Sequence, residues 1–304
     1  MKHSSIHPAT SIGCVHLSVA NLDRSLSFYQ DKLGFQLRQR EGQTAYLGAG
    51  GPDLLLLTEK PGARSVSGVT GLYHFAILTP SRLALAQSLR RLAETRTPVQ
   101  GFADHWVSEA IYLADPDGNG IEIYRDRPRN EWPRQNGQLQ MATDPLDIQG
   151  ILAELEPRPE PWTGLEAATT LGHVHLHVAT IPSAEAFYGD ILGFDLILRY
   201  GPSASFVSAG GYHHHLGLNT WAGVNAPPPP PDAAGLRYFT INLPDQAALA
   251  AVVKRIEEAG VTFQEKDGVI FLRDPAQNGV VLSAGQEAET VAAKVTEIRG
   301  FAVS

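Results

Sequence analysis

Apolar and polar residues alternate in the stretch CVHLSVA, residues 14–20, and a period of two is typical of a β-strand with one buried face. Directly after it, Leu26, Tyr29 and Leu33 recur at the spacing of one helical face. Gly34 follows the last of them, where a glycine commonly ends a helix. The pattern therefore predicts a strand followed by an amphipathic helix.

The chain repeats itself, and an internal repeat decides how the whole fold is interpreted. Residues 12–35 match residues 171–194 without a gap, at an offset of 159 residues. The same offset aligns residues 114–124 with residues 273–283. The repeat therefore covers nearly the full length of a domain, and the two halves of the chain are predicted to be duplicates.

Each half contains a second strand followed by a helix, which begins with LYHFAIL at residues 72–78 and with LRYFTIN at residues 236–242. Four similar units in two domains are thus predicted, which suits a chain of 304 residues. The predicted order is a first domain, a linker with a short helix, a second domain and a C-terminal tail: residues 8–126, 127–166, 167–286 and 287–304.

Composition narrows the class of protein. Hydrophobic residues make up 43% and charged residues 18%, which is typical of a globular protein, and the formal charge of −8 argues against a nucleic-acid partner. No apolar run approaches the ~18 residues that span a bilayer, and the N-terminal segment has no apolar signal core. We therefore predict a cytoplasmic protein without a membrane partner; a homo-oligomer is left open. The lone cysteine, Cys14, is compatible with a reducing compartment.

A dense group of polar residues lies in DHWVSEAIYLADPDGNGIEIY, residues 104–124. The composition of DPDGNG is typical of a tight turn, so the flanking strands are predicted to form a hairpin. The hairpin places Tyr112 and Glu122 on adjacent strands, and their even separation indicates that they face one cavity. A carboxylate in the middle of an apolar strand is costly unless it is paired or binds a metal.

This segment resembles the signature of type I extradiol dioxygenases. These belong to the vicinal-oxygen-chelate superfamily, together with glyoxalases and bleomycin-resistance proteins. Ala103, two residues before His105, is not a residue that is expected at its place in the signature. The resemblance extends over most of the chain and is closest to two-domain catechol 2,3-dioxygenase type proteins. The signature positions that this sequence fills are, in order, His105, Ile111, Tyr112, Asp115, Pro116, Gly118 and Glu122.

The resemblance implies an α+β fold in which four βαβββ units form two vicinal-oxygen-chelate domains. It also implies a non-haem Fe(II) centre, with Mn(II) as the alternative, held by two histidines and a carboxylate. His74 and Glu122 fit two of the ligand places. The third ligand is His173 if the second and third units pair crosswise, or His16 if the first and second units pair in sequence. Crosswise pairing is favoured, because His173 stands at the family distance before Phe187.

The second half of the chain offers an internal comparison for these polar residues. The residues that replace His74, His105, Tyr112 and Glu122 are, in that order, Tyr238, Gln264, Phe271 and Val281. Residues that only support the fold would be needed in both halves. The contrast between the halves therefore favours a chemical role for the four polar residues.

The activity implied by the resemblance is cleavage of a small aromatic diol, a catechol or hydroquinone, with O2. His105 would be the acid–base group and Tyr112 would hydrogen-bond the substrate. His175 and His214 are predicted to face the same cavity and are candidate substrate-binding residues. Two other functions stay open, a glyoxalase- or fosfomycin-resistance-like metal enzyme and a metal-free binding protein of the bleomycin-sequestering kind.

Overall fold

The computed structural model of the protein describes residues 5–156, 161–285 and 288–297. Parts of the predicted linker and of the predicted tail lie outside these residues. Within the described ranges, no helix is long and apolar enough to cross a membrane.

The described strands are, in chain order, β1 (Ser11–Val19), β2 (Gln36–Glu41), β3 (Thr44–Gly48), β4 (Asp53–Glu59), β5 (Gly71–Leu78), β6 (Gly101–Asp104), β7 (Ser108–Ala114), β8 (Gly120–Asp126), β9 (Arg134–Gln135), β10 (Gln138–Leu139), β11 (Thr170–His177), β12 (Asp195–Tyr200), β13 (Ala204–Ser208), β14 (Leu216–Asn219), β15 (Gly235–Leu243), β16 (Phe263–Lys266), β17 (Val269–Arg273) and β18 (Gly279–Ala284). The described α-helices are α1 (Leu22–Ser27), α2 (Arg82–Glu94), α3 (Ile148–Ala153), α4 (Ile181–Glu185), α5 (Gln246–Glu258) and α6 (Ala288–Glu297).

Two eight-stranded sheets form the body of the protein. Sheet I has the strand order β16-β17-β18-β15-β1-β4-β3-β2, and sheet II has the order β12-β13-β14-β11-β5-β8-β7-β6. Sheet I thus joins the first unit to the fourth, and sheet II joins the second unit to the third. This confirms the predicted α+β fold of four units and the crosswise pairing.

The predicted helix after the first strand is present in two parts. Asn21 begins α1, because its side chain accepts a hydrogen bond from the backbone N–H of Arg24 at 2.8 Å. The helix then widens into a π-helical segment, Phe28–Lys32. The chain turns at Gly34 with a φ of +83°, which confirms the predicted glycine stop.

Helix α6 was not predicted, since this part of the chain was interpreted as a tail. Its Val291, Ala292 and Val295 are buried in one cluster of sheet I. The cluster also contains Tyr238 and Val281, which stand where the first half of the chain has polar residues. Helix α6 therefore fills with apolar side chains the face of sheet I that corresponds to the polar face of sheet II.

Candidate metal centre and cavity

The middle of sheet II brings three candidate ligands around Ala76. Strand β5 pairs in parallel with β8, so that Glu122 lies beside Ala76, and antiparallel with β11, so that His173 lies on its other side. His74 precedes Ala76 by two residues and shares its face of the strand. Because alanine is small, the three longer side chains converge above it.

The ligand atoms form a nearly equilateral triangle. The Nε2 atoms of His74 and His173 are each 3.0 Å from Oε2 of Glu122 and 3.3 Å from one another. A metal ion about 2.1 Å from each donor would separate neighbouring donors by about 3 Å. The donor set therefore fits one metal ion. Among the residues that the structure describes, these three are the group of histidine and acidic side chains whose ligand atoms all lie within 4.8 Å.

The three side chains are buried, and the surroundings of His173 and Glu122 set the protonation of these two residues. Burial lowers the pKa of His173 to about 4, against the opposing effect of Glu122. Burial alone would raise the pKa of Glu122, but His173 and His74 hold it well below its usual range. At neutral pH the site thus offers a neutral imidazole at His173 and a carboxylate, which are the forms that bind metals.

His105 and Tyr112, the two predicted catalytic residues, meet on the same side of sheet II. The carbonyl of Ala142 can only accept, so His105 donates from Nδ1 over 2.6 Å. A neutral His105 then accepts at Nε2 from the Tyr112 hydroxyl, also at 2.6 Å. Burial, and next the charge of Glu122, raise the pKa of Tyr112 well above 10. Tyr112 therefore stays a neutral phenol whose oxygen lone pairs are available to a ligand.

A cavity of about 350 Å³, here called the metal cavity, opens above the candidate metal centre. Its lining combines the polar candidates with aromatic and apolar side chains. The lining residues are Tyr73, His74, His105, Val107, Ser108, Tyr112, Glu122, Met141, Ala142, Thr143, His175, Leu198, Tyr200, Phe206, His214 and Trp221.

Both predicted substrate-binding histidines lie at this cavity. His175 is 4% exposed, and its Nε2 has no hydrogen-bond partner within the described part of the chain. The ring of His214 lies 4.1 Å from that of His173. Burial lowers the pKa of both His175 and His214 well below 6.5. Both side chains are therefore neutral at physiological pH.

A hydrogen-bonded chain behind His214 was not predicted. Nε2 of His213 donates to Oδ1 of Asp126 at 2.8 Å, and Nδ1 of His213 lies 2.8 Å from Nδ1 of His214. If His213 is neutral, its Nδ1 accepts, so that His214 donates from Nδ1 and keeps Nε2 as an acceptor. Asp126 would thus control which nitrogen of His214 accepts a hydrogen bond.

The other candidate ligand, His16, lies away from this centre. It belongs to β1 of sheet I, where its Nε2 is 2.8 Å from Oγ1 of Thr58 and its ring packs against Tyr238. The structure therefore does not bring His16 together with His74 and Glu122.

Several lining residues were missed by sequence reasoning. The linker contributes Met141, Ala142 and Thr143, although it was interpreted only as a connection. The aromatic residues Tyr73 and Trp221 also line the cavity. Tyr73 directly precedes the candidate ligand His74 in the motif LYHFAIL, which was the one local signal for it.

Comparison with known proteins is consistent with this geometry. The family described as Glyoxalase/Bleomycin resistance protein/Dioxygenase superfamily matches residues 11–123 and 170–282. A protein of Bacillus subtilis (strain 168) named catechol-2,3-dioxygenase is 48% identical over 283 residues, which are 91% of this chain and 98% of that protein.

Two solved structures share the fold at low sequence identity. Glyoxalase I from Zea mays is 18% identical with a TM-score of 0.54, and the match covers 96% of this chain and 97% of that one. The cppA protein from Streptococcus pneumoniae TIGR4 is 14% identical with a TM-score of 0.53, over 90% of this chain and 98% of that one. At these identities the similarity concerns the fold alone.

Proposed function

Because the chain belongs to the Glyoxalase/Bleomycin resistance protein/Dioxygenase superfamily, we propose that it is an extradiol dioxygenase that cleaves a small aromatic diol with O2. The observation that carries the proposal is the convergence of His74, Glu122 and His173 on one point beside the pair of Tyr112 and His105. The identity to a protein named catechol-2,3-dioxygenase supports the same reaction.

Fe(II) is the metal that we propose for this centre, with Mn(II) as the alternative. Two imidazoles and one carboxylate on one side of an ion are typical of non-haem iron oxygenases. His74, His173 and Glu122 would hold the ion. When bound, the metal acidifies a diol hydroxyl and brings the two reactants together.

The lining of the metal cavity favours an uncharged aromatic substrate. Tyr73, Phe206 and Trp221 offer ring faces and edges against which a flat ring packs well. Among the described lining residues there is no lysine or arginine. A carboxylate on the substrate would therefore meet no side-chain cation in this lining, and the metal ion alone would compensate its charge.

Tyr112 and His105 would orient the diol and move its proton. The Tyr112 oxygen can accept from a substrate hydroxyl while its own proton is donated to His105. His105 is held at Nδ1 by the Ala142 carbonyl, so its Nε2 is the nitrogen that exchanges a proton. The pair thus lets His105 take up a proton at Nε2 by way of the Tyr112 hydroxyl and return it the same way.

His175 and His214 are the proposed substrate-binding residues on the other side of the cavity. Both are neutral and do not repel a metal ion, and since Nδ1 of His214 is hydrogen-bonded to His213, its Nε2 is the atom left for the substrate. The unpartnered Nε2 of His175 gains most from a ligand, because a buried polar atom without a partner costs free energy.

Two other functions use the same fold. A glyoxalase-like isomerase would need the metal ligands, whereas a bleomycin-type binding protein would need only the aromatic lining. The hydrogen-bonded pair of His105 and Tyr112 favours the dioxygenase, because these two residues can transfer a proton beside the metal ligands. The cytoplasmic location and the assembly state stay predictions, which cell fractionation and size-exclusion chromatography would test.

Oxygen uptake tests the proposed reaction. The Fe(II)-loaded protein, supplied with catechols and hydroquinones in air, is expected to consume one O2 per diol and to form a strongly absorbing ring-opened product. The matched control is the adduct of methylglyoxal and glutathione, which a glyoxalase would isomerise. Isomerisation of the adduct, with no O2 uptake for any diol of a broad panel, would refute the dioxygenase proposal.

A further inference from the structure

A second, larger cavity of about 640 Å³ lies where the chain crosses between the two sheets. We call it the inter-sheet cleft. The connector 60–70 and the connector 220–234 line it, and the two bind each other. Arg64 donates its backbone N–H to the carbonyl of Asp232, and the side chains of these residues form an ion pair at 2.7 Å. Crosswise pairing of the units therefore produces the cleft.

The inter-sheet cleft adjoins the metal cavity. Tyr73 and Trp221 line both spaces, and their rings meet edge to face at 5.1 Å. Both are partly exposed, at 40% and 49%. These two rings therefore form a boundary between the cavities that consists of side chains rather than backbone.

The two spaces differ in charge. Lys60, Arg237 and Arg273 line the inter-sheet cleft, although the chain as a whole has a formal charge of −8. Asp117 is the one carboxylate among its described lining residues, and it is paired with Arg24. The side chains of the cleft thus concentrate positive charge, whereas no lysine or arginine is among the described residues that line the metal cavity.

Arg273 is an exposed side chain that two contacts hold in place, whereas Arg237 is embedded more deeply in the wall of the cleft. The guanidinium of Arg273 lies 5.5 Å from the ring centre of Phe271 and donates to the carbonyl of Gln277 at 2.8 Å. Arg237 is half-buried, and burial lowers its pKa. A partly desolvated cation gains more from a nearby anion than a solvated one does.

The proposed reaction changes the charge of the ligand. Cleavage breaks one carbon–carbon bond of the diol and forms a carbon–oxygen bond at each end with the two atoms of O2. One end becomes a carbonyl and the other a carboxylic acid, which releases its proton at neutral pH. A neutral diol therefore becomes an anion next to Glu122, where the described cavity lining offers no lysine or arginine.

We propose that the inter-sheet cleft is an anion-binding site that receives the carboxylate of the ring-opened product past Tyr73 and Trp221. The nature of the anion rests on the proposed function, whereas the site itself rests on the charges that line the cleft. The cleft would draw the product away from the metal and leave the metal cavity free for the next diol.

Binding of a stable product analogue tests the proposal. The probe is trans,trans-hexadienedioate, a conjugated dicarboxylate without a diol. Its dissociation constant is measured by equilibrium dialysis on the metal-loaded protein, without O2 and with saturating catechol. We expect the analogue to bind while catechol is present. The double variant Arg237→Gln/Arg273→Gln should weaken binding at least about tenfold, since two charged hydrogen-bond donors are removed from the cleft.

Two further variants make the test specific. Arg90→Gln removes a positive charge from α2, outside the cleft, and should leave the dissociation constant within twofold. Lys60→Gln removes a single cation of the cleft and should weaken binding of the analogue by a smaller factor. This variant keeps the test valid if the double variant does not fold. Unchanged binding in both cleft variants, or full displacement of the analogue by catechol, would overturn the proposal.

The outcomes separate this proposal from the proposed function. Normal O2 uptake with analogue binding that is insensitive to Arg237 and Arg273 would refute the anion site and keep the dioxygenase. Analogue binding that depends on both arginines, in a protein that cleaves no diol, would keep the anion site and refute the dioxygenase.

Discussion

Glu122 is the residue on which the candidate metal centre depends most, because its Oε2 atom lies 3.0 Å from Nε2 of both His74 and His173. We predict that Glu122→Ala removes most of the iron, measured per folded protein after reconstitution. His173→Ala should do the same. The neighbour of both residues across the sheet, Ala76, is itself an alanine, and a small side chain leaves the strand pairing intact, so circular dichroism should stay near that of the parent.

The matched control is His16→Ala, which removes a buried histidine from β1 of sheet I. It should leave the iron content largely intact, since His16 contacts Thr58 and Tyr238 rather than the triangle. Loss of iron in His16→Ala with retention in His173→Ala would contradict the crosswise assignment.

His105 should affect the rate and not the metal. We predict that His105→Ala slows diol cleavage by roughly 10²-fold or more, the scale of one acid–base group, with full iron content. Tyr112→Phe removes the hydroxyl that joins His105 to the cavity and should also slow the reaction. Turnover of His105→Ala within a few-fold of the parent would show that His105 is only a structural residue of the β6–β7 turn.

Buried neutral histidines should make stability depend on pH. Burial holds the pKa of His16 well below 6.5, so below pH 6.5 the unfolded chain binds a proton that the folded chain does not. Stability should therefore fall as the pH drops, by at most about 1.4 kcal/mol at pH 5.5 for this residue. His16→Gln should reduce the difference between the urea unfolding free energies at pH 7.5 and pH 5.5, by no more than that amount. An unchanged difference would mean that His16 is protonated in the fold.

At the scale of strands and turns, the sequence pattern predicted those features that depend on residues close together in the chain. The hairpin of β7 and β8 pairs Tyr112 directly with Glu122, as the turn DPDGNG predicted. The pairing of β5 with β11 could be predicted only as one of two alternatives, because it joins residues about a hundred positions apart. Loop contributions such as Ala142 were missed, since the position of a loop depends on surfaces that no local pattern shows.

Helix α6 was also missed because its burial depends on residues that are distant in the sequence. Its apolar face is short, and its partners Cys14 and Tyr238 belong to strands of sheet I that are distant in sequence. We predict that Val295→Asp lowers the free energy of unfolding by about 2–4 kcal/mol, because it buries a charge in this cluster. Iron content should stay at the level of the parent, since the triangle lies in sheet II. Loss of iron at unchanged stability would show that α6 serves the metal centre instead.

At the scale of the molecule, duplication and crosswise pairing mean that each sheet contains strands from both halves of the chain. Strands β1 and β15 form the seam of sheet I, and β5 and β11 form the seam of sheet II. Each seam joins one strand of the first half of the chain to one strand of the second. The duplicate positions could therefore diverge, with sheet II keeping the polar residues and sheet I burying α6.

This architecture predicts that neither half of the chain binds the metal alone. A fragment of residues 1–156 retains His74 and Glu122 but lacks His173, and its β5 would expose the edge that β11 covers. A fragment of residues 157–304 retains only His173. Each fragment by itself should bind little iron, whereas co-expression of the two should restore an assembled protein with iron and diol cleavage, measured after co-purification through a tag on one fragment. Iron at full occupancy in the first fragment alone would contradict the arrangement, because the site would then lie within the first two units.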